Sequence, residues 1–117
     1  MPKLLKKSMD YYQLSTMSED LDTKRVTMQI AVELLVKYVA FVNDIIFDMR
    51  SHDVSNILVN LQEKGFCNSI CMLLYLYQDA CLSWINPDVE NKHSTLKDYK
   101  LLCKIYLSCI NVLKVEV

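Results

Sequence analysis

The sequence contains very little glycine and proline, with one glycine and two prolines among its 117 residues. Because tight turns depend on those two residue types, their shortage argues against a sheet with many turns. The hydrophobic fraction of 52% is large enough to build a core, and it favours long helices joined by short connections. The sequence therefore predicts an all-α protein, a compact bundle of about four to five helices.

The chain has no excess of charge of either sign, since 13 basic residues oppose 14 acidic ones. A net charge of −1 provides no overall field that attracts nucleic acid or acidic membranes, so any such contact has to be local. Uninterrupted apolar runs are also too short for a membrane span, which needs about 20 apolar residues. The first residues lack the apolar core of a secretory signal, and we expect a soluble cytoplasmic protein.

The length fits a single domain, which we expect to cover residues 1–117. A short amino-terminal helix and a linker occupy 1–22, and core helices occupy 24–114. Apolar periodicity predicts helices at about 4–14, 24–49, 66–85 and 95–113, and a further helix that begins near 54 and stops at Gly65. The helix over 66–85 is apolar on most sides, so we expect it to lie centrally or to carry an exposed patch for another chain.

Short polar residues and the single glycine mark the predicted helix ends. Gly65 is expected to end the third helix with a positive φ angle, next to Lys64, whose charge suits the carboxyl end of a helix. Candidate N-caps precede the helices at Ser18 or Asp22, at Ser51 or Asp53, and at Ser94 or Thr95.

Few residues form a pattern that indicates catalysis. One glycine excludes a glycine-rich phosphate loop, and neither Gly-x-Ser-x-Gly nor His-Glu-x-x-His is present. Arg50, His52 and Asp53 share one predicted loop, as in some RNA-cleaving sites, but no second group supports them and a capping role is favoured. We therefore expect no catalytic residue and no enzyme activity.

The cysteines lie inside apolar helical patterns, which favours free thiols in a reducing compartment over a disulfide framework. Cys67 and Cys71 are four residues apart and would share one helix face. A structural zinc site needs four ligands, and neither histidine stands at a matching distance in the sequence. We interpret the pair as core residues and expect no metal and no cofactor.

Three lysines form the most informative polar pattern. Lys97, Lys100 and Lys104 lie within roughly 60° of one another on the last predicted helix and rise about 10 Å along its axis. Such a row can follow a nucleic-acid backbone, and it is also common on the solvated face of an amphipathic helix. Lys24 and Arg25 form a second small basic cluster at the start of the long helix.

Three segments resemble one family in order. "TKRVTMQIAVELLVKYV" is similar to the first long helix of the small α-helical subunit of type III-B CRISPR effector complexes, which begins with basic residues. "NILVNLQEKGFCNSICMLLYL" is similar to its short helix, glycine and apolar helix, and "LKDYKLLCKIYLSCINVLK" to its last helix. The resemblance covers roughly the last 95 residues.

This resemblance implies a non-catalytic subunit that takes part in antiviral defence. Several copies would pack together with other subunits along the guide RNA and target RNA. The RNA backbone would then contact a basic face, and the residues expected there are Lys97, Lys100, Lys104, Lys24 and Arg25. The sequence of the RNA would be read by base pairing, so the subunit would need only backbone contacts.

A second interpretation stays open beside the first. A helical-bundle interaction module, such as a secretion chaperone, an immunity protein or a viral adaptor, would grip a partner helix through apolar surface and would have no role with RNA. The near-zero net charge favours this interpretation. The ordered trio of segments favours the RNA-guided complex.

Overall fold

The computed structural model describes residues 2–65, 76–77 and 95–116 of the chain, with the backbone alone at 2 and 112–116. Within these ranges there are four helices and no strand: α1 (Pro2–Met17), α2 (Leu21–Val42), α3 (Ser55–Glu63) and α4 (Thr95–Glu116). The radius of gyration is 13.4 Å, close to the value of about 13 Å for a compact chain near this length. The prediction of a compact all-α bundle is confirmed.

The first two helices form an antiparallel hairpin. Ser8 Oγ donates to the carbonyl oxygen of Ala31 at 2.6 Å, and Ser15 Oγ donates to that of Lys24, also at 2.6 Å. Both serines are buried, so each hydroxyl replaces a lost contact with water by a bond across the interface. The later serine of α1 is bonded to the earlier residue of α2, so the two helices are antiparallel.

The cap of α2 is Asp20, and neither predicted cap occupies that position. Its carboxylate accepts hydrogen bonds from the backbone nitrogen of Thr23 at 3.0 Å and from the Thr23 hydroxyl at 2.7 Å. These bonds lower the pKa of Asp20 because they favour the ionised form. The cap binds an amide that has no partner inside the helix.

The carboxyl end of α2 comes at Val42, so the predicted extension of this helix to residue 49 is wrong. Asp44 adopts a left-handed conformation with φ 58°. The backbone nitrogen of Ile45 donates to the Ala40 carbonyl at 2.9 Å, and that of Asp44 donates to Phe41 at 3.3 Å. These two hydrogen bonds form a Schellman motif, which ends the helix although the apolar spacing of the sequence continues beyond it.

Helix α3 has the end that the sequence predicts. Gly65 follows its last turn with φ 103°, and its backbone nitrogen donates to the Gln62 carbonyl at 3.1 Å. At the other end the N-cap is Val54, which has no capping side-chain bond. The carboxylate of Asp53 instead accepts from the backbone nitrogen of Ser55 at 3.0 Å.

Among the described helices α2 occupies the centre, because α1, α3 and α4 all pack against it. The predicted helix over 66–85 lies outside the described residues except for Leu76 and Tyr77. Tyr77 is fully buried, and its hydroxyl donates to the His52 carbonyl at 2.7 Å. The core around α2 contains Met28, Ala31, Val32, Leu35, Val36, Val39, Ala40, Ile45, Val54, Ile57, Leu58, Leu61, Tyr77, Leu102, Ile105, Tyr106 and Cys109.

Helix α4 lies against α1 as well as α2. The rings of Tyr12 and Tyr106 stack with their centroids 4.3 Å apart and their planes 13° from parallel. The side chains of Tyr99 and Tyr106 also lie near those of Ser15 and Ser8, respectively. Because contacts early in α4 fall late in α1, these two helices are antiparallel, and one side of α4 is fixed toward the bundle.

Candidate nucleic-acid interface

The orientation of α4 follows from which of its residues are buried. Asp98 lies in the first turn, where a carboxylate suits the positive end of the helix dipole, and it is fully buried. The same side carries the core residues Leu102, Ile105, Tyr106 and Cys109. Burial of this apolar stripe leaves the opposite side of α4 facing outward.

Three lysines occupy that outward side, as the sequence predicts. Lys97, Lys100 and Lys104, which we call the lysine face, are all exposed. With Leu96 and Leu101 they line an open groove of about 340 Å³. The only acidic residue between positions 95 and 111 is the buried Asp98. The outward side over this range is therefore cationic, with leucines between the charges.

The chemistry of the lysine face suits a row of anionic oxygens. A lysine ammonium group has three donors and carries its charge on a flexible stem, which fits phosphate or carboxylate without demanding one geometry. Tyr106 is buried and Tyr99 is partly buried, so neither offers a fully exposed ring to a base. The lysine face can bind the phosphate backbone of a nucleic acid through charge. Among its described residues there is no aromatic ring on which a base could stack.

The structure does not place Lys24 and Arg25 on the lysine face. Lys24 Nζ donates to the carbonyl oxygens of Ser15 and Thr16, each at 3.2 Å, and lies 5.6 Å from the centroid of the Tyr99 ring. This ammonium group therefore sits at the carboxyl end of α1, where a cation complements the dipole. Arg25 is 5% exposed, and its Nη1 donates to Gln29 Oε1 at 2.7 Å. Both cations serve contacts within the bundle.

A charged row on α2 is buried although its sequence pattern is that of an amphipathic stripe. Glu33 accepts from Gln29 Nε2 at 3.3 Å through one oxygen, and its other oxygen lies 3.2 Å from His52 Nδ1. Burial raises the pKa of Glu33, and the contact with His52 opposes that shift. Lys37, also buried, donates to the Met49 carbonyl at 2.9 Å. These bonds hold the segment after α2 against the bundle.

Two of the three side chains that the sequence suggested for RNA cleavage have partners within the bundle. His52 contacts Glu33, and Asp53 binds Ser55 at the start of α3. The backbone nitrogen of Arg50 donates to Asp48 Oδ1 at 2.9 Å. Over the described ranges no three histidine, cysteine or acidic side chains come together in a way that could hold a metal.

Two of the five cysteines lie in the described part of the chain, and both are free thiols. Cys109 is buried, and burial raises its pKa to about 12, so this thiol stays protonated. Burial also raises the pKa of Cys103, which contacts Tyr99. The predictions for Cys67, Cys71 and Cys81 lie outside the described residues.

The chain matches no protein-family model, no curated protein and no solved structure. None of the described helices is long and apolar enough to cross a bilayer.

Proposed function

We propose that the protein is a non-catalytic subunit of an RNA-guided complex, similar to the small subunit of type III-B CRISPR effectors, and that its lysine face holds RNA by its phosphates. One observation carries the proposal: three exposed lysines share the outward side of α4, while the acidic residue among them is buried. The all-α fold agrees with the resemblance of the three sequence segments. Lys24 and Arg25 are left out because both serve the bundle.

The mechanism is electrostatic. Ammonium groups approach phosphate oxygens and displace condensed counterions, so affinity falls steeply as salt rises. Three lysines on one copy give weak binding. Several copies that pack along one RNA strand through surfaces other than the lysine face would act together, because each bound copy raises the effective concentration of the next site. A net charge of −1 is compatible with this arrangement, since only one surface needs to be cationic.

The test compares two triple substitutions that change the net charge equally. K97E/K100E/K104E reverses the lysine face, and K3E/K6E/K7E reverses three exposed lysines on α1. Each ¹⁵N-labelled protein is titrated at low salt with a mixed-sequence single-stranded RNA, and backbone amide shifts are followed by NMR, which detects weak contacts. In the unsubstituted protein the largest shifts are expected between residues 96 and 107.

Reversal of the lysine face should weaken RNA binding by at least about tenfold, because each lost phosphate contact removes released counterions. The α1 variant should weaken it far less. Equal losses in both variants would show a response to total charge alone, and unchanged binding after reversal of the lysine face would refute the proposal. Within an assembled effector complex, the α4 variant should retain less RNA than the α1 variant.

A second function is favoured by a different surface. Met9, Leu14 and Met17 on α1 are each more than half exposed, and Met17 reaches 72%. Such apolar side chains fit a helical-bundle module that grips a partner protein, as a chaperone, immunity protein or adaptor does. Neighbouring genes separate the two functions, because genes for an RNA-guided effector favour the first and a secretion or toxin operon favours the second.

A further inference from the structure

In the segment after α2 an exposed apolar residue lies between two acidic residues in the sequence. Ile46 is 96% exposed, and the side chains of Asp44 and Asp48 on either side of it are exposed as well. We call Asp44, Ile46 and Asp48 the acidic knob. The side chain of its neighbour Ile45 is buried in the core, so these two consecutive isoleucines face opposite environments.

The acidic knob is held by bonds on both of its sides. The backbone nitrogen of Ile45 is bonded to Ala40, and Lys37 Nζ donates to the Met49 carbonyl at 2.9 Å. Lys64 Nζ also reaches the Asn43 carbonyl at 2.6 Å. A segment fixed in this way loses little conformational freedom when it binds, which favours a docking role.

The chemistry of the acidic knob is complementary to that of the lysine face. Asp44 and Asp48 lie two residues before and after the exposed Ile46, and one oxygen of Asp48 also accepts from the Arg50 backbone nitrogen at 2.9 Å. The lysine face carries three exposed lysines that line a groove with Leu96 and Leu101. We propose that the acidic knob of one copy docks on the lysine face of a second copy, with Ile46 in the groove and the two aspartates against the lysines. The carboxylates then take the positions that RNA phosphates would take.

The contact joins two different surfaces, so it is head-to-tail and leaves one knob and one lysine face open at the ends. A two-fold contact between knobs would instead place carboxylates against carboxylates. Docking of copies and binding of RNA exclude each other at the lysine face. RNA should therefore dissociate the assembled copies, and this part of the inference rests on the proposed function.

Sedimentation velocity from about 10 μM to about 1 mM at low salt tests the contact. The unsubstituted protein should show concentration-dependent association that high salt reverses. D44N/D48N should associate at least about tenfold more weakly, and Asn is chosen because it tolerates a positive φ at position 44. I46S should also associate more weakly. D10N/E19N, which neutralises two exposed acids elsewhere, should associate as the unsubstituted protein does.

Mixing two variants gives the sharpest result. D44N/D48N keeps its lysine face and K97E/K100E/K104E keeps its acidic knob, so each alone should stay monomeric while the mixture forms a one-to-one dimer. An unsubstituted protein that is monomeric throughout, or a mixture that forms no dimer, would overturn the inference, with circular dichroism confirming that each variant is folded.

The readouts also separate this inference from the proposed function. RNA binding without association of copies would refute the inference alone. Association that RNA fails to dissolve, with no RNA shifts on α4, would refute the proposed function alone.

Discussion

Helices α2 and α4 show how similar polar patterns can lead to opposite environments. Both are 22 residues long, and both carry charged residues at helical spacing. On α2 the charged residues Arg25, Glu33 and Lys37 are all buried, whereas the lysine face of α4 is exposed. A polar stripe in a sequence therefore does not by itself identify the side of a helix that faces solvent.

The difference arises from the number of neighbours that each helix has and from the partners available to each charge. α2 packs against α1, α3 and α4, so little of its circumference remains for solvent. Its charges are tolerated there because Arg25 and Glu33 are joined through Gln29, while Lys37 binds a backbone carbonyl. The lysines of α4 lie opposite its buried stripe.

The largest expected effect separates a buried lysine from an exposed one. Lys37→Ala should lower the free energy of unfolding by about 2 to 4 kcal/mol, because it leaves the Met49 carbonyl without its donor and Glu33 without a nearby cation. Lys100→Ala removes the same side chain from an exposed position and should change stability by less than about 0.5 kcal/mol. Urea unfolding followed by circular dichroism at 222 nm measures both.

Equal losses in the two variants would remove the distinction between the helices. Lys37→Met keeps most of the aliphatic stem and removes the charge. If it recovers part of the stability that Lys37→Ala loses, that part is due to packing of the stem.

The sequence predicted the helices better than their environments. Apolar periodicity located all four described helices, and the single glycine marked the end of α3 with its positive φ angle. The same periodicity extended α2 too far, because Ile45 and Met49 keep the apolar spacing while a local Schellman motif ends the helix. The burial of Glu33 and Lys37 depends on distant partners, His52 and Met49, which helical spacing cannot reveal.

The two helices also differ at their carboxyl ends. Asn43 caps α2, whereas Asn111 lies within α4, which continues to residue 116. Asp44, the residue after Asn43, adopts the left-handed conformation, whereas the residue after Asn111 continues the helix. Asp44→Ala should cost about 1 kcal/mol because alanine is strained there, and Asp44→Gly should be neutral or slightly stabilising.

Urea unfolding of both variants measures this effect, and Lys104→Ala within α4 is the control for the solvent-facing helix. If Asp44→Ala proves as stable as Asp44→Gly, the chain does not require a left-handed conformation at position 44.

The smallest effect is a change in how stability depends on pH. The pKa of Glu33 is raised above 4.5 by burial, so the folded protein holds this proton more readily than the unfolded chain does. The stabilisation is complete below pH 4.5 and is lost as pH rises through the folded pKa. Glu33→Gln should remove this slope, so that its stability relative to the unsubstituted protein improves between pH 4.5 and neutrality.

The imidazole of His52 contacts this carboxylate, and Lys37 lies on the adjoining turn of α2 with its charge acting in the opposite sense to burial. The comparison is therefore made in a His52→Asn background, which removes the imidazole and leaves Lys37 unchanged. Glu63→Gln on the exposed side of α3 is the matched control. If Glu33→Gln follows the same pH profile as its parent in that background, then Glu33 is effectively solvated, and the contrast between the buried row of α2 and the exposed row of α4 does not hold at this residue.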